Sequence, residues 1–277
     1  MRKLNSIDKT IVYKHFNDYK KQYNQHELHI DNIVMAENKS YWAEFVVKEL
    51  YNKNYTLYIN EKLTQMNERF IRCVLFHEFT HLADSYQFAD AEYIVFKYIM
   101  YTYSECHASE VELIQKIKLI NEPISIQSKM YTGETLKEFM DNQLSDVKYD
   151  IERAINYNEA INIRSLYYFC GYLKALEEYK ITYTYNIHFQ ENLLTDYCNN
   201  IIKIMMYQHS VSQITKSYIN FRDYVLKLRR LPKCPVCFST RIRKISGLLN
   251  VKNVVKFCLL LQKSKHQFEC ENCGYEW

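Results

Sequence analysis

The stretch from Cys73 to Asp84, with His77-Glu78-Phe79-Thr80-His81 at its centre, constrains this chain more than any other. On a helix, residues four apart share one face, so both imidazoles can grip one metal ion with Glu78 beside them. With 9 His and 22 Glu among 277 residues, chance supplies the pattern H-E-x-x-H only about 0.02 times. The flanks favour the helix the motif needs. Glu68 to Ala83 contains no Gly or Pro, and Phe70, Ile71, Val74, Leu75, Phe79 and Leu82 form the wide apolar surface of a buried helix. Asn67 is placed to cap it, with Glu68 in the first turn.

A chain of 277 residues, 48% apolar and 25% charged, can bury a core and divides into two or three units. Its 26 tyrosines carry no functional message of their own. The start lacks a long apolar region with a small-residue cleavage site. The longest nearly apolar stretch, Val254 to Leu261 with Lys256 inside, is too short to span a bilayer. A cytoplasmic protein with no membrane partner is expected. Nine cysteines in a reducing compartment read as metal sites where they pair as C-x-x-C, not as a disulfide framework. Charge is divided: residues 225–277 hold eleven Lys/Arg and three Glu, net +8, against net −4 for residues 1–224.

In chain order, apolar spacing predicts a helix over 7–22. Strands follow over 29–35 and 41–47, flanking the turn-prone residues 37–40, with a third strand over 55–60. A small twisted sheet therefore precedes the metal helix. A second helix is predicted over 91–120. A hydrolytic zinc site takes three protein ligands and keeps one position open for water, so two histidines are not enough. Glu105, 24 residues past His81, is the favoured third ligand because the small Ala108 and Ser109 one turn on allow close helix approach. His107, Glu110 and Cys106 are the alternatives nearby.

Strands, then H-E-x-x-H on a helix, then Glu105-x-x-Ala108-Ser109 on a following helix resembles the gluzincin metallopeptidases, and among them the compact intracellular ImmA/IrrE type. The resemblance covers about residues 25–118. It implies a zincin-like fold in which His77, His81 and Glu105 bind a catalytic zinc and Glu78 is the base. Thermolysin-like members place an aspartate four residues after the ligand glutamate, where this chain has Ser109, so the polar group that would support a ligand there differs. Asp84, seven residues after His77 on the same face, reads either as a hydrogen-bonding group, with a ligand imidazole as one candidate partner, or as a simple exposed aspartate, direct metal ligation being the weaker reading.

Residues 121–230, punctuated by Pro123 and Gly133, read as an all-α packing layer with helices over 134–157, 161–179 and 190–231. Cys170, Cys198, His188 and His209 lack ligand spacing. Beyond them, Cys234-Pro235-Val236-Cys237 and Cys270-Glu271-Asn272-Cys273 resemble the two knuckles of a zinc ribbon, each giving two thiolates to one structural zinc. Cys258 reads as apolar filling. Arg229, Arg230, Lys233, Arg241, Arg243 and Lys244 form either a phosphate-binding surface for nucleic acid or an ordinary solvated face.

The fold class expected is α+β and mostly helical: a zincin-like domain over 1–120, a helical segment over 121–230 and a zinc ribbon over 231–277. The function expected is a zinc metallopeptidase with one catalytic and one structural Zn²⁺, acting on a protein or peptide. Glu78 would take a proton from the attacking water and return it to the leaving amine. A transition-state donor is also required, for which Tyr101, Tyr103 and His188 are all open. The competing readings are a SprT-like protease acting on DNA-bound proteins, which takes a third histidine soon after the motif, and a non-catalytic nucleic-acid-binding or regulatory protein.

Overall fold

The computed structural model describes residues 6–36, 41–49, 54–156, 163–189, 191–207, 210–230, 242–244 and 268–270. The architecture is α+β and mostly helical. Its contacts divide it into two compact units, Met1–Ile151 with Asn162–Phe221, and Glu152–Ile161 with Arg222–Trp277.

The first unit begins with α1 (Ser6–Tyr23) and three strands, β1 (Asn32–Ala36), β2 (Ala43–Glu49) and β3 (Asn54–Asn60). β1 and β2 follow one another in sequence but are not paired. β3 lies between them, parallel to β1 and antiparallel to β2, in the order β1-β3-β2. A turn signal between two strands reports only that the chain reverses, and the parallel pairing of β1 with β3 is non-local. As the middle strand β3 is buried, with Tyr55, Leu57 and Ile59 at 2% exposure or less. Among the described residues β2 is left as an edge.

Helix α2 (Glu68–Gln87) carries the motif. Asn67 caps it as expected, its side chain accepting from the Phe70 N–H at 2.8 Å. One face supplies Leu75, Phe76, Phe79 and Leu82 to a core shared with Val12, Phe16 and Tyr19 of α1 and Leu57 and Ile59 of β3. Phe16 meets Phe79 at 5.0 Å between ring centroids, and Tyr19 meets Phe76 edge-on at 5.3 Å. That apolar face fixes the helix against α1 and the sheet, and so fixes the direction in which the motif histidines point.

The helix predicted over 91–120 is α3 (Tyr93–Ile99), a wider π turn over Met100–Ser104, and α4 (Glu105–Ile117). A π turn shifts the helical register at the point where it is inserted, and here it ends immediately before Glu105. Residues 118–135 are not helical. Gly133, at φ +95°, makes the turn in which its N–H donates to the Met130 carbonyl. α5 (Leu136–Asn156) and α6 (Arg164–Glu178) follow. α6 packs directly on α4, because Gly171 has no side chain: a Cβ there would stand 2.1 Å from the Cys106 carbonyl oxygen and 2.9 Å from Ser109 Cβ. Ser109 thus faces α6.

The helix predicted over 190–231 is two, α7 (Asn192–Tyr207) and α8 (Val211–Arg230). Ser210 precedes α8, its carbonyl accepting the Ile214 N–H, and serine at such a position favours a helix start over continuation. In the second unit, Arg229 donates from Nε to the Ala154 carbonyl at 2.6 Å, so this member of the basic cluster is tied to the backbone. β4 (Ile242–Lys244) pairs antiparallel with β5 (Phe268–Cys270), Ile242 opposite Cys270. Cys234, Cys237, Cys258, Cys273, Lys233, Arg241 and His209 lie outside the described residues. No helix among the described residues is long and apolar enough to cross a membrane.

Candidate metal centre

The polar face of α2 turns toward α4. His77 and His81 point their Nε2 atoms at each other across 3.2 Å. Glu105, the first residue of α4, places Oε2 3.4 Å from His81 Nε2 and 3.8 Å from His77 Nε2. Donors bound at about 2.0–2.1 Å around a tetrahedral ion stand roughly 3.3 Å from one another, close to all three separations. Glu105 Oε2 is buried and accepts no hydrogen bond of ordinary geometry. A buried carboxylate oxygen left unsatisfied is costly, and a cation satisfies it. The three residues can therefore hold a metal ion.

Each imidazole is oriented through its other nitrogen. His77 Nδ1 lies 3.1 Å from Glu112 Oε2, and Glu112 Oε1 is paired with Lys116 at 2.7 Å. His81 Nδ1 lies 2.7 Å from Ser104 Oγ. A proton on each Nδ1, donated to these partners, leaves the Nε2 lone pairs facing inward. Burial lowers the His77 pKa, but Glu112, with Glu78 and Glu105, outweighs it and holds it up at about 9. Burial opposes ionisation of Glu105, yet His81, His77 and Arg164 bring its pKa down to about 2. Glu112, likewise opposed by burial, is held at about 2 by Lys116 and His77. The centre is thus a buried arrangement of opposite charges, in which neighbouring groups make His77 more basic and Glu105 and Glu112 more acidic.

Glu78 faces the same cavity of about 460 Å³, lined also by Tyr41, Ala43, Glu44, Phe45, Phe96, Lys97, Met100, Tyr101, Arg164 and Tyr168. Its Oε2 accepts the Phe45 N–H at 2.7 Å. In β2 that N–H points away from β3, so the open edge of the sheet forms one wall of the cavity.

The other candidates for third ligand are engaged elsewhere. His107 Nδ1 bonds Asp84 Oδ1 at 2.9 Å, Glu110 pairs with Lys174 at 2.6 Å, and Cys106 is buried with its thiol pushed up to about 12. Asp84 therefore has its hydrogen bond with His107 and not with either imidazole of the motif; α4 offers a histidine to it on the side away from the triad. Ser109 also does not support a ligand, since it faces α6 at Gly171. Of the possible donors, Tyr101 lines the cavity and its hydroxyl accepts the Ile163 N–H at 3.2 Å. The Tyr103 ring packs on Phe88 and His107, and His188 is exposed; neither lines the cavity.

The sequence reading missed Glu112, Ser104, Arg164 and Tyr168. Tyr168 sets its ring edge-on to His77 at 6.0 Å between centroids, and Arg164 Nε lies 3.3 Å from Glu105 Oε1. Glu112 was detectable, because it stands seven residues after Glu105 on the helix face that Ser109 also occupies. Nothing local marked the α6 residues. Cys170 and Cys198, which lack ligand spacing, are fully buried in the core. Comparison with family models, with curated proteins and with solved structures finds no match to this chain.

Proposed function

We propose that the protein is a zinc-dependent peptide hydrolase in which His77, His81 and Glu105 hold the ion and Glu78 is the catalytic base. The observation that carries this is the convergence of two Nε2 atoms and one orphaned carboxylate oxygen, from separate helices, on the cavity that Glu78 faces. Zinc suits a set of two imidazoles and one carboxylate. When bound, it would act as a Lewis acid on a carbonyl and acidify a water. Glu78 Oε2 is occupied by Phe45, so the proton of the attacking water goes to Oε1 and passes from there to the leaving amine. The Phe45 bond holds the carboxylate at the cavity wall while that oxygen works. The open edge of β2 favours an extended polypeptide as substrate, since unpaired backbone groups can receive a strand.

A glutamate as third ligand, with His107 committed to Asp84, favours a gluzincin-type centre over a SprT-like one. The β4–β5 pairing brings the chain after the first C-x-x-C beside the entry to the second, which suits a ribbon with Cys234, Cys237, Cys270 and Cys273 on a structural zinc. The basic tail would then recognise a partner, nucleic acid among the candidates.

Replacing Glu78 by Gln in the full chain is expected to leave the metal content unchanged and to lower hydrolysis of a fluorogenic peptide library by about 10²- to 10⁴-fold. Undiminished turnover in that variant would remove Glu78 from the mechanism. Wild-type hydrolysis that survives removal of all zinc by a chelator would reject the metal-dependent activity altogether.

A further inference from the structure

Arg164 stands at the start of α6, outside the segment that carries the motif, yet it reaches a putting-in-place contact with the third ligand: its Nε lies 3.3 Å from Glu105 Oε1. We infer that Arg164 is a positioning residue that reserves one oxygen of Glu105, so that only Oε2 serves the metal. This rests on the triad being the metal site proposed above. The two oxygens of this one carboxylate have different surroundings. Oε1 has the guanidinium, whereas Oε2 faces the two Nε2 atoms and accepts no ordinary hydrogen bond. A carboxylate with both oxygens available can chelate through both and occupy the position that hydrolysis needs for water. The guanidinium competes for the outer oxygen with a full positive charge and a fixed fork of donors.

The placement of Arg164 is built into the backbone. Arg164, Tyr168 and Gly171 share one face of α6, at i, i+4 and i+7. Gly171 allows that face to approach α4 at Cys106, the residue next to Glu105, more closely than any side chain would permit. The ring of Tyr101 lies 5.2 Å from the guanidinium carbon and limits its swing. Arg164 thus completes a set of three: Glu112 orients His77, Ser104 orients His81, and Arg164 orients Glu105.

The test uses the full chain with cobalt(II) in place of the native ion, the signal of this site being isolated as the difference from His77→Ala. Arg164→Gln is expected to bind cobalt at the triad at least about tenfold more weakly, as for other groups that orient a ligand. Its ligand-field absorption should also weaken, since five-coordinate cobalt absorbs less than four-coordinate cobalt, while the circular dichroism stays that of the wild type. Arg164→Lys should recover part of both. Wild-type affinity together with a wild-type cobalt spectrum in Arg164→Gln would overturn the role of Arg164 and leave the metal site standing. Cobalt uptake that is the same in wild type and His77→Ala would overturn the metal site, and this role with it.

Discussion

Two histidine–carboxylate pairs join α2 to α4, and they run in opposite directions. In one, the histidine is on α2 and the carboxylate on α4: His77 Nδ1 to Glu112, at 3.1 Å. In the other, two turns along α2, the carboxylate is on α2 and the histidine on α4: Asp84 to His107 Nδ1, at 2.9 Å. The bonds are chemically alike, and both histidines are made more basic by their partners. What separates them is where the second ring nitrogen goes. His77 Nε2 meets His81 and Glu105, whereas His107 is not among the residues lining the cavity. A carboxylate behind a histidine therefore marks an oriented ring, and only the convergence of further donors makes that ring a candidate ligand.

Substitutions on the two pairs should separate these roles. The largest difference is expected between His77→Ala, which should lose one equivalent of bound zinc per chain, and His107→Ala, which should lose none, as counted by elemental analysis. Equal zinc content in the two variants would erase the distinction. Next, Glu112→Gln should weaken zinc binding at the triad by about 10- to 100-fold in chelator competition while Asp84→Asn leaves it unchanged. The smallest effect concerns stability alone. Asp84 is 1% exposed, and Asp84→Asn should cost about 1–3 kcal/mol in denaturant unfolding through the disturbed buried bond. The folded-state pKa of His107 lies above its ordinary value, chiefly because the Asp84 charge outweighs burial. Its ionic contribution is therefore complete below the ordinary histidine pKa and is lost as pH rises through the raised one. The gap between wild type and Asp84→Asn should narrow toward alkaline pH; a gap that widens would contradict the pairing.

What could be read in the sequence follows the range of the interactions. The motif helix, its Asn67 cap and the paired imidazoles depend on neighbours three or four residues away, and they were legible. Glu105 was legible as a candidate, but the π turn that ends just before it was not, because a local register shift leaves no composition signal. Asp84 is buried and bonded to His107, a partner the sequence did not single out, since seven-residue spacing on one helix does not reveal which side chain a second helix presents. The order of the sheet was hidden for the same reason. Arg164 and Gly171 act only through the approach of α6 to α4, and neither residue belongs to a local pattern. Seen alone, Gly171 is a weak spot in a helix; it is the tertiary contact that explains it.

The tight seat of α6 on α4 has a consequence for the newborn chain. When the ribosome has delivered residues only as far as α4, His77, His81, Glu78 and Glu105 are all present, but the guanidinium that meets Glu105 and the helix that packs on α4 are still to come. The surroundings of Glu105 are therefore completed late in synthesis, once Gly171 has let α6 seat on α4.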